Sequence, residues 1–437
     1  MAMNCNNSSI FIWAWVKSMK RKLFSCLFAV MVFGMALTGC NGKEDKKTGK
    51  SSTETKKAGS KDVKLSIWAG EEDKDYLATV TQKFIDENKS EANITIEWSP
   101  MVEGDCRNNL LGDVLNAPDL YTTTDGDIQS IAAGGAASPV TNPDEIRANN
   151  MEAAVDSITI NNTIYGYPIT ADNGYFLYYN KKYLSEKDIQ SLDKILKIAA
   201  KNKKKFAMNW ASGWYLYSFY GQTGLKVGLN EDGVTNFCDW NSKENSITGV
   251  DVANALMKIG KNPGFSNTED WIKGFKNGSV IACVSGIWDE STLQSILGKN
   301  FGAAKLPTYT CAGEQIQMAC YFGYKMIGVN PYSDHLEWAH KLANFISNEE
   351  NQKLRFELRG QGPSNINAAE SDEVKQDAAI QAVIAQSEFS EPQRLGVNFW
   401  DAATELGNML STGKIQEKSI QAQLDKTVKK ITASTVE

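Results

Sequence analysis

The chain has 437 residues, which at roughly 150 residues per domain allows two domains or one large two-lobed domain. It carries 46 lysine and arginine side chains against 52 aspartate and glutamate side chains, and the formal charge of −6 argues against a nucleic-acid-binding protein, because phosphate neutralisation needs a basic face. Only two histidines occur, His335 and His340, which leaves little room for a histidine-rich metal site or a repeated histidine-based catalytic centre.

The N-terminal region has the pattern of an exported lipoprotein. The basic segment 19–22 precedes an apolar run over residues 23–37, which suits a secretory signal and is short for a membrane span. The run ends in Leu-Thr-Gly-Cys, which resembles a bacterial lipobox. We therefore predict a signal peptide over residues 1–39, a lipid-modified Cys40, and anchoring to the outer face of the bacterial cytoplasmic membrane. The alternative is an uncleaved anchor with an incidental cysteine. Residues 1–18 precede a suitable start at Met19 and are interpreted as an over-extended gene start.

Residues 40–62 contain no Leu, Ile, Val, Phe, Trp or Tyr and are predicted to form a flexible tether, because they offer too little apolar surface to offset the entropy of ordering. Their excess of lysine would favour an anionic membrane surface, or would simply keep the linker soluble. Residues 63–437 then carry 35 basic and 48 acidic side chains, a formal charge of −13.

The body begins with alternating strands and helices. The segments 63–68, 94–98 and 119–121 read as strands, and apolar positions between residues 75 and 88 fall on one helical stripe. This β-α-β-α-β order predicts an open parallel sheet with right-handed crossovers. Ligands collect at the carboxyl ends of such strands, so the loops 69–74 and 122–127 are the first candidates for a site.

Further strands are predicted over residues 164–169, 175–179 and 280–284, and lysine-rich helices over 185–204. Two more helices are indicated by apolar stripes, one at Leu336, Ala339, Ala343 and Ile346, and one at Ile420, Leu424, Val428 and Ile431.

Five cysteines follow Cys40, an odd number without a CxxC spacing. Cys311 and Cys320 lie on either side of a predicted hairpin turn at residues 312–314 and could pair if their side chains converge. Buried free thiols are the interpretation that we favour.

An ordered series of motifs over residues 63–435 resembles the extracellular solute-binding proteins of ATP-driven sugar importers, the maltose-binding-protein-like family. The series comprises Leu-Ser-Ile-Trp at 65–68, Ala-Pro-Asp-Leu at 117–120 with Asp125 and an Ala-rich turn, Tyr-Gly-Tyr-Pro at 165–168 with Asp-Asn-Gly-Tyr-Phe-Leu-Tyr-Tyr-Asn at 172–180, and Asn-Gly-Ser-Val-Ile-Ala at 277–282 with Gly-Ile-Trp at 286–288. Each motif alone is weak evidence for this family, but the order and spacing of the motifs together are specific to it.

The resemblance implies an α/β, two-lobed periplasmic-binding-protein-like fold with a hinge between the lobes. One lobe is expected to contain residues 63–170 and 325–367, and the other residues 175–320 and 370–437. Ligand would be held between them, without a covalent step and without a cofactor or metal. The implied partners are a carbohydrate, an oligosaccharide for which the malto type is slightly favoured over others, and the membrane permease of an ABC importer. We expect a monomer.

The chemistry of a sugar determines the candidate site residues. A pyranose has an apolar face and a rim of hydroxyl groups, so its receptor needs flat aromatic surfaces together with carboxylates and amides. The resemblance implies Trp214, Trp288 and Trp400 as stacking platforms, whereas Trp271 and Trp338 are expected in the core. For the hydroxyl groups the candidates are Asp125 and Asp172, followed by Glu71, Glu72, Asn173 and Asn209.

Two departures from the family pattern bear on the sugar. Residues 122–124 are Thr-Thr-Thr where the family has a Trp before its acid, and the family's Asp-Arg pair reads Asp125-Gly126-Asp127. One aromatic platform and one cation are therefore expected to be missing. The arginines at positions 107, 147, 355, 359 and 394 lie outside the predicted site loops.

Alternative functions differ in what they require. A lipid-anchored glycoside hydrolase needs two carboxylates at a fixed distance, which acidic composition alone permits; no G-x-S-x-G motif occurs, and the two histidines are five residues apart. A surface scaffold would show repeats, and none is found. A non-sugar solute such as an amino acid or peptide would favour a basic clamp, whereas a cationic ligand would also suit aromatic and acidic side chains.

Overall fold

The computed structural model describes residues 61–230, 232, 234–412 and 415–434. The predicted signal peptide, Cys40 and nearly all of the tether lie outside the described residues. Within the described part of the chain, no helix is both long and apolar enough to cross a bilayer.

The strands are short and alternate with helices along the chain. They are β1 Lys61–Ala69, β2 Ala92–Pro100, β3 Leu120–Thr124, β4 Thr159–Ile160, β5 Thr163–Ile164, β6 Tyr167–Thr170, β7 Tyr175–Asn180, β8 Lys205–Ala207, β9 Val227–Leu229, β10 Asn236–Cys238, β11 Phe265–Ser266, β12 Val280–Gly286, β13 Phe301–Ala304, β14 Thr308–Cys311, β15 Glu314–Gln317, β16 Cys320–Phe322, β17 Lys325–Val329 and β18 Ser390–Pro392.

The α-helices are α1 Lys74–Asn88, α2 Glu103–Gly112, α3 Asp125–Ala133, α4 Pro143–Asn149, α5 Glu152–Ser157, α6 Leu192–Lys201, α7 Gly213–Leu216, α8 Gly249–Gly260, α9 Trp271–Lys276, α10 Glu290–Leu297, α11 Leu336–Ile346, α12 Glu349–Arg359, α13 Ile366–Ala369, α14 Asp372–Gln376, α15 Ala378–Ser387, α16 Asn398–Ser411 and α17 Ile420–Ile431.

The first of two five-stranded sheets has the order β2-β1-β3-β17-β6. β1 pairs in parallel with β2 and β3, whereas β17 runs antiparallel to β3 and β6. Alternate residues of β1, namely Val63, Leu65 and Ile67, are buried, and the stripe of α1 packs into the same core. The period of two in the strand and the helical stripe thus close one hydrophobic core, as the sequence predicted.

The second five-stranded sheet has the order β11-β8-β12-β7-β13. Its two central strands, β12 and β7, are antiparallel, and β7 is buried along nearly its whole length. A separate and larger aromatic core surrounds this sheet. Two sheets with two cores confirm the predicted two-lobed α/β fold. The lobe boundaries stay a prediction, which the division of the cores supports.

Three segments, which we call the crossover segments, lie side by side: residues 171–174 and 323–324 connect elements of the two cores, and residues 360–362 follow α12. They are hydrogen-bonded side by side: the amide of Ala171 donates to the carbonyl of Gly362 over 3.0 Å, and that of Asn173 to the carbonyl of Gly323 over 3.2 Å. Short extended segments of this kind can absorb the changes in φ and ψ that a hinge needs.

Local predictions differ from the structure in two places. The strand expected over residues 164–169 is interrupted at residues 165–166, where Gly166 has a positive φ, and it forms β5 and β6, which belong to different sheets. Of the helical region expected over residues 185–204, only α6 forms. Before it, the Asp188 carboxylate accepts hydrogen bonds from Ser185 in a local turn, and Ser191 forms a β-bridge with Thr308. The hairpin at Ala312-Gly313 is confirmed between β14 and β15, with positive φ at both turn residues. Both hairpin-flanking cysteines, like the other three described, carry free thiols.

Trp271 and Trp338 lie in the cores, with 6% and 8% of their surface exposed, as predicted.

A buried ion cluster joins the end of β1 to α12. The carboxylate of Asp73 lies 2.8 Å from Arg355 and 3.3 Å from Arg359. Burial by itself would raise the pKa of Asp73, but the guanidinium of Arg355, with Lys325 and Arg359 nearby, holds that pKa below its ordinary value. Asp73 therefore stabilises the fold while it is ionised.

We predict that Arg355→Met lowers the free energy of unfolding at pH 7 by about 3 kcal/mol, because it leaves a buried carboxylate with only its weaker partner. The folded-state pKa of Asp73 is depressed, so its contribution is present above the unfolded-state pKa and is lost as the pH falls through the folded-state pKa. Urea unfolding should show the difference shrinking below about pH 4. Arg147→Met, at an exposed position of α4, should change little; equal stabilities of wild type and Arg355→Met would contradict the account.

Candidate functional site

A cavity of about 1310 Å³ is lined by residues of the first sheet and the segments beside it, together with residues that pack in or against the second core. Three tryptophans, Trp214, Trp288 and Trp400, form what we call the aromatic wall. The opposite side, which we call the α2 wall, consists of residues 102–105, 107 and 108 together with Thr124, Gly126 and Asp127. The floor includes Asn173 of the first crossover, Lys325 at the start of β17, and Gln393.

Two platforms of the aromatic wall rest on one buried tyrosine. Ring centroids of Trp214 and Trp400 lie 5.7 Å and 6.1 Å from that of Tyr321, which is itself stacked on Tyr217 at 4.0 Å. The hydroxyl group of Tyr175 donates to the backbone carbonyl of Trp214 over 2.7 Å. Both indoles are half-buried, so packing fixes one side of each ring while the cavity receives the other.

The third platform, Trp288, depends on the glycine two residues before it. A Cβ at Gly286 would lie 2.2 Å from Cζ3 of Trp288, so only glycine allows the indole to fold over the end of β12. The ammonium group of Lys325 lies 5.6 Å from the ring centroid, and Arg359 donates to the Trp288 carbonyl over 3.4 Å. The Gly-Ile-Trp motif therefore places an aromatic surface next to the crossovers.

Ion pairs hold the polar side chains of the α2 wall. Arg107 Nη1 lies 2.8 Å from Asp127 Oδ1, and Lys325 Nζ lies 3.0 Å from Glu103 Oε1. Burial opposes the charge on Lys325, but the carboxylates of Glu103 and Asp73 together outweigh this effect and raise the pKa of the lysine. For Asp127, burial raises the pKa of the carboxyl group, and the nearby guanidinium of Arg107 offsets this rise only in part. The wall thus presents two compensated ion pairs, beside the carboxylate of Asp105, which is unpaired among the described residues.

The structure gives the two favoured carboxylates other partners than the cavity. Asp172 is 2% exposed, and its Oδ2 accepts a hydrogen bond from the amide of Gly362; burial raises its pKa to about 6. Asp125 accepts hydrogen bonds from the amide of Tyr324 and from Gln393 Nε2, both over 3.1 Å. Neither residue lines the cavity. Both hold crossover segments, and contact with a ligand stays an untested prediction for each.

Of the four secondary candidates for binding hydroxyl groups, two line the cavity and two do not. Glu72 and Asn173 line the cavity. Glu71, on the exposed side of the same turn as Glu72, does not, and neither does Asn209, which donates to Glu269 and accepts from the amide of Ala211. Of the nine residues predicted to bind ligand, the described cavity therefore brings together five.

The sequence interpretation missed several residues of the site. Arg107 was placed outside the site loops, and a cation was expected to be missing; in the structure Arg107 lines the cavity. Its helix begins soon after the carboxyl end of β2, so the rule that ligands collect at strand ends applied here too. Lys325 and Gln393 were also missed, because they come from distant parts of the chain, and so was Asp401, the neighbour of the predicted Trp400.

A buried acid lies behind Trp288. Glu290 is 2% exposed and its Oε2 has no hydrogen-bond partner among the described residues. Burial, helped by the carboxylates of Asp377 and Asp172, raises the pKa of Glu290 to about 9. The side chain is therefore protonated in the folded protein at neutral pH.

We predict that Glu290→Gln stabilises the protein at pH 7 by on the order of 1–3 kcal/mol. The folded-state pKa is raised, so wild-type stability is highest below the unfolded-state pKa and falls as the pH rises towards 9. Glutamine removes that loss. Thermal unfolding from pH 4.5 to 9 should show a growing difference, and Glu337→Gln, at an exposed position of α11, provides the control. A pH-independent difference would contradict the prediction.

Comparison with known proteins gives the family. The sequence profile described as "Bacterial extracellular solute-binding protein" matches residues 83–382. The chain belongs to this family, which confirms the resemblance inferred from its motifs. The described residues contain no group of three or more His, Cys, Asp or Glu side chains arranged to hold a metal ion.

Individual relatives cover most of the chain. A galactooligosaccharide-binding protein of Bacillus subtilis (strain 168) is 24% identical over 409 residues, which span 90% of this chain and 94% of the relative. A maltooligosaccharide ABC transporter solute-binding lipoprotein of Streptococcus pneumoniae (strain ATCC BAA-255 / R6) is 24% identical over 85% of this chain and 87% of its own length. A structure solved with acarbose has a TM-score of 0.76 and 27% identity, covering 84% of this chain and 98% of that one.

Proposed function

We propose that this protein is the ligand-capturing component of an ABC importer, and that its ligand is a neutral oligosaccharide, with a malto-oligosaccharide as the favoured type. The observation that carries the proposal is the pairing of the aromatic wall with a polar wall across one cavity. No covalent step is involved: the ligand binds, the lobes close on it, and a permease receives it.

The two walls match the two kinds of surface on a sugar ring. Indole faces bury the apolar C–H face of a pyranose, and three of them on one wall suit successive rings of a chain. Carboxylates such as Glu72, amides such as Asn173 and the guanidinium of Arg107 complement the hydroxyl rim. A monosaccharide would leave most of these groups without a partner.

The cavity volume supports an extended ligand. Pockets for drug-sized ligands measure about 300–1,000 Å³. The volume of about 1310 Å³ exceeds that range. Both relatives described above carry names of oligosaccharide-binding proteins, one for galactooligosaccharides and one for maltooligosaccharides, which supports an oligosaccharide but leaves the linkage to experiment.

The hinge supports a closing motion. Three crossover segments lie between the cores and pair through backbone hydrogen bonds, so the lobes can rotate about them without breaking either sheet. Closure would bring the α2 wall towards the aromatic wall and remove the ligand from water.

Export and anchoring complete the proposal. The lipobox-like segment before Cys40 supports a lipid anchor that keeps the protein beside its permease, and the pneumococcal relative is named as a lipoprotein. The signal peptide over residues 1–39 and a monomeric state belong to the same proposal.

We predict that maltotetraose raises the melting temperature of the wild-type protein, in line with the dependence of stability on ln(1 + [L]/Kd), and that Trp288→Ala abolishes the shift. Trp98→Ala is the matched control, because Trp98 is a half-buried tryptophan of β2 that does not line the cavity. Scanning calorimetry with di- to heptasaccharides of several linkages measures the effect. If no sugar of the panel shifts the transition of the wild type, the proposed function is wrong; if the sugar is cleaved during incubation, the protein is a hydrolase.

We predict that Cys40→Ala moves the protein from the membrane fraction to the soluble or secreted fraction of bacterial cells, because the residue that would carry the lipid is lost. Cys26→Ala, in the predicted leader, should leave the protein at the membrane. Immunoblotting of cell fractions provides the readout. Retention of Cys40→Ala at the membrane would contradict the anchor.

A further inference from the structure

Arg107 has hydrogen-bonding capacity to spare where it lines the cavity. Its side chain is 13% exposed, and its guanidinium group carries five N–H groups. Nη1 donates to Asp127 over 2.8 Å, while Nε and Nη2 each donate to Asn108 Oδ1 over 3.2 Å. These contacts use three N–H groups, so one on Nη1 and one on Nη2 remain.

The guanidinium group is held in a fixed position. Asp127, which is itself 15% exposed, accepts from Arg107 with one oxygen and from the Thr124 hydroxyl group with the other, over 3.3 Å. Asn108 follows Arg107 on the same helix, and its Oδ1 accepts hydrogen bonds from Nε and Nη2 on the other side of the guanidinium group. Because the rotamer is set before any ligand arrives, little side-chain entropy is lost when the two remaining N–H groups bind.

The charged side chains around the cavity indicate which kind of ligand the two free N–H groups of Arg107 can bind. Each cation among the lining residues has an acidic partner: Arg107 pairs with Asp127, Lys325 with Glu103, and Lys430 with Glu405. Three further carboxylates line the cavity without a partner among the described residues, namely Glu72, Asp105 and Asp401.

The cavity is therefore negative overall although it contains an arginine. An anionic ligand would meet uncompensated carboxylates on both walls, whereas hydroxyl groups can accept from the arginine and donate to the carboxylates.

We propose that the Arg107–Asp127 pair is a charge-neutral hydrogen-bond donor that orients the ligand, and that it makes the cavity select neutral oligosaccharides over acidic ones. Asp127 cancels the attraction that a bare guanidinium would have for a carboxylate, while leaving two N–H groups for adjacent hydroxyl oxygens. This inference rests on the proposed function and adds the residue that determines charge selectivity.

The test compares two ligands that differ only in charge. Maltotetraose is reduced to its alditol or oxidised to its aldonate, so that both have an open terminal unit and only the aldonate is anionic. Isothermal titration calorimetry at low ionic strength measures Kd for the wild type and for Arg107→Gln, Arg107→Lys and Asp127→Asn. Arg147→Gln, at an exposed position away from the cavity, is the control for loss of a surface arginine. Melting temperatures without ligand establish that each variant is folded.

The expected results are specific. The wild type binds the alditol more tightly than the aldonate. Arg107→Gln weakens binding of the alditol by about tenfold or more, since a hydrogen bond from a charged donor is lost, and Arg107→Lys weakens it less. Asp127→Asn reduces the ratio of the Kd for the aldonate to the Kd for the alditol severalfold, because the charge of the guanidinium group is no longer neutralised.

Two outcomes would overturn the inference, and they differ from each other. If the wild type binds the alditol and Arg107→Gln binds it equally well, the orienting role is wrong while the proposed function stands. If Asp127→Asn keeps the full preference, the charge selectivity does not come from this pair. Failure of the folded wild type to bind either ligand, or maltotetraose itself, would overturn the proposed function together with this inference.

Discussion

The fold and the site both depend on the buried carboxylate of Asp73. It ends the turn after β1 and binds Arg355 and Arg359, which are one helical turn apart on α12. Arg359 also donates to the carbonyl of Trp288, which follows β12 of the second sheet. One cluster thus connects the first sheet, the helix that precedes the third crossover, and a platform of the aromatic wall. A buried charge network of this kind costs desolvation energy, and its partners must stay together because an unpaired charge would cost more.

The crossovers show how the same residue types can serve the hinge instead of the ligand. Asp125 and Asp172 bind backbone amides of the crossover segments, and Gly362 allows Asp172 to approach, since a Cβ there would lie 3.1 Å from Oδ2. These two carboxylates therefore fix the positions of the three crossover segments relative to one another, while the backbone torsion angles of the segments can still change. Glu72, Asn173 and Arg107, which line the cavity, are the side chains that we propose for hydroxyl recognition.

Much of this architecture could be predicted from the sequence because it depends on local patterns. Alternation in β1, the stripe of α1 and the Gly-Ile-Trp motif each determine a local conformation, and their order along the chain pointed to the family. The partners of a carboxylate are not local: Asp172 is 190 positions from Gly362, and Asp125 is 268 from Gln393. Arg107 was missed for the same reason, because its interaction with Asp127 exists only after α2 and α3 pack beside β3.

The central claim is that one ligand contacts both walls of the cavity. A crystal structure of the protein grown with maltotetraose tests it most directly. The account predicts sugar rings stacked on at least two of Trp214, Trp288 and Trp400, with hydroxyl groups within hydrogen-bonding distance of Arg107 and Glu72 and the two walls closer together than without ligand. A sugar bound outside the cavity, or held by the aromatic wall alone with the α2 wall still apart, would contradict it.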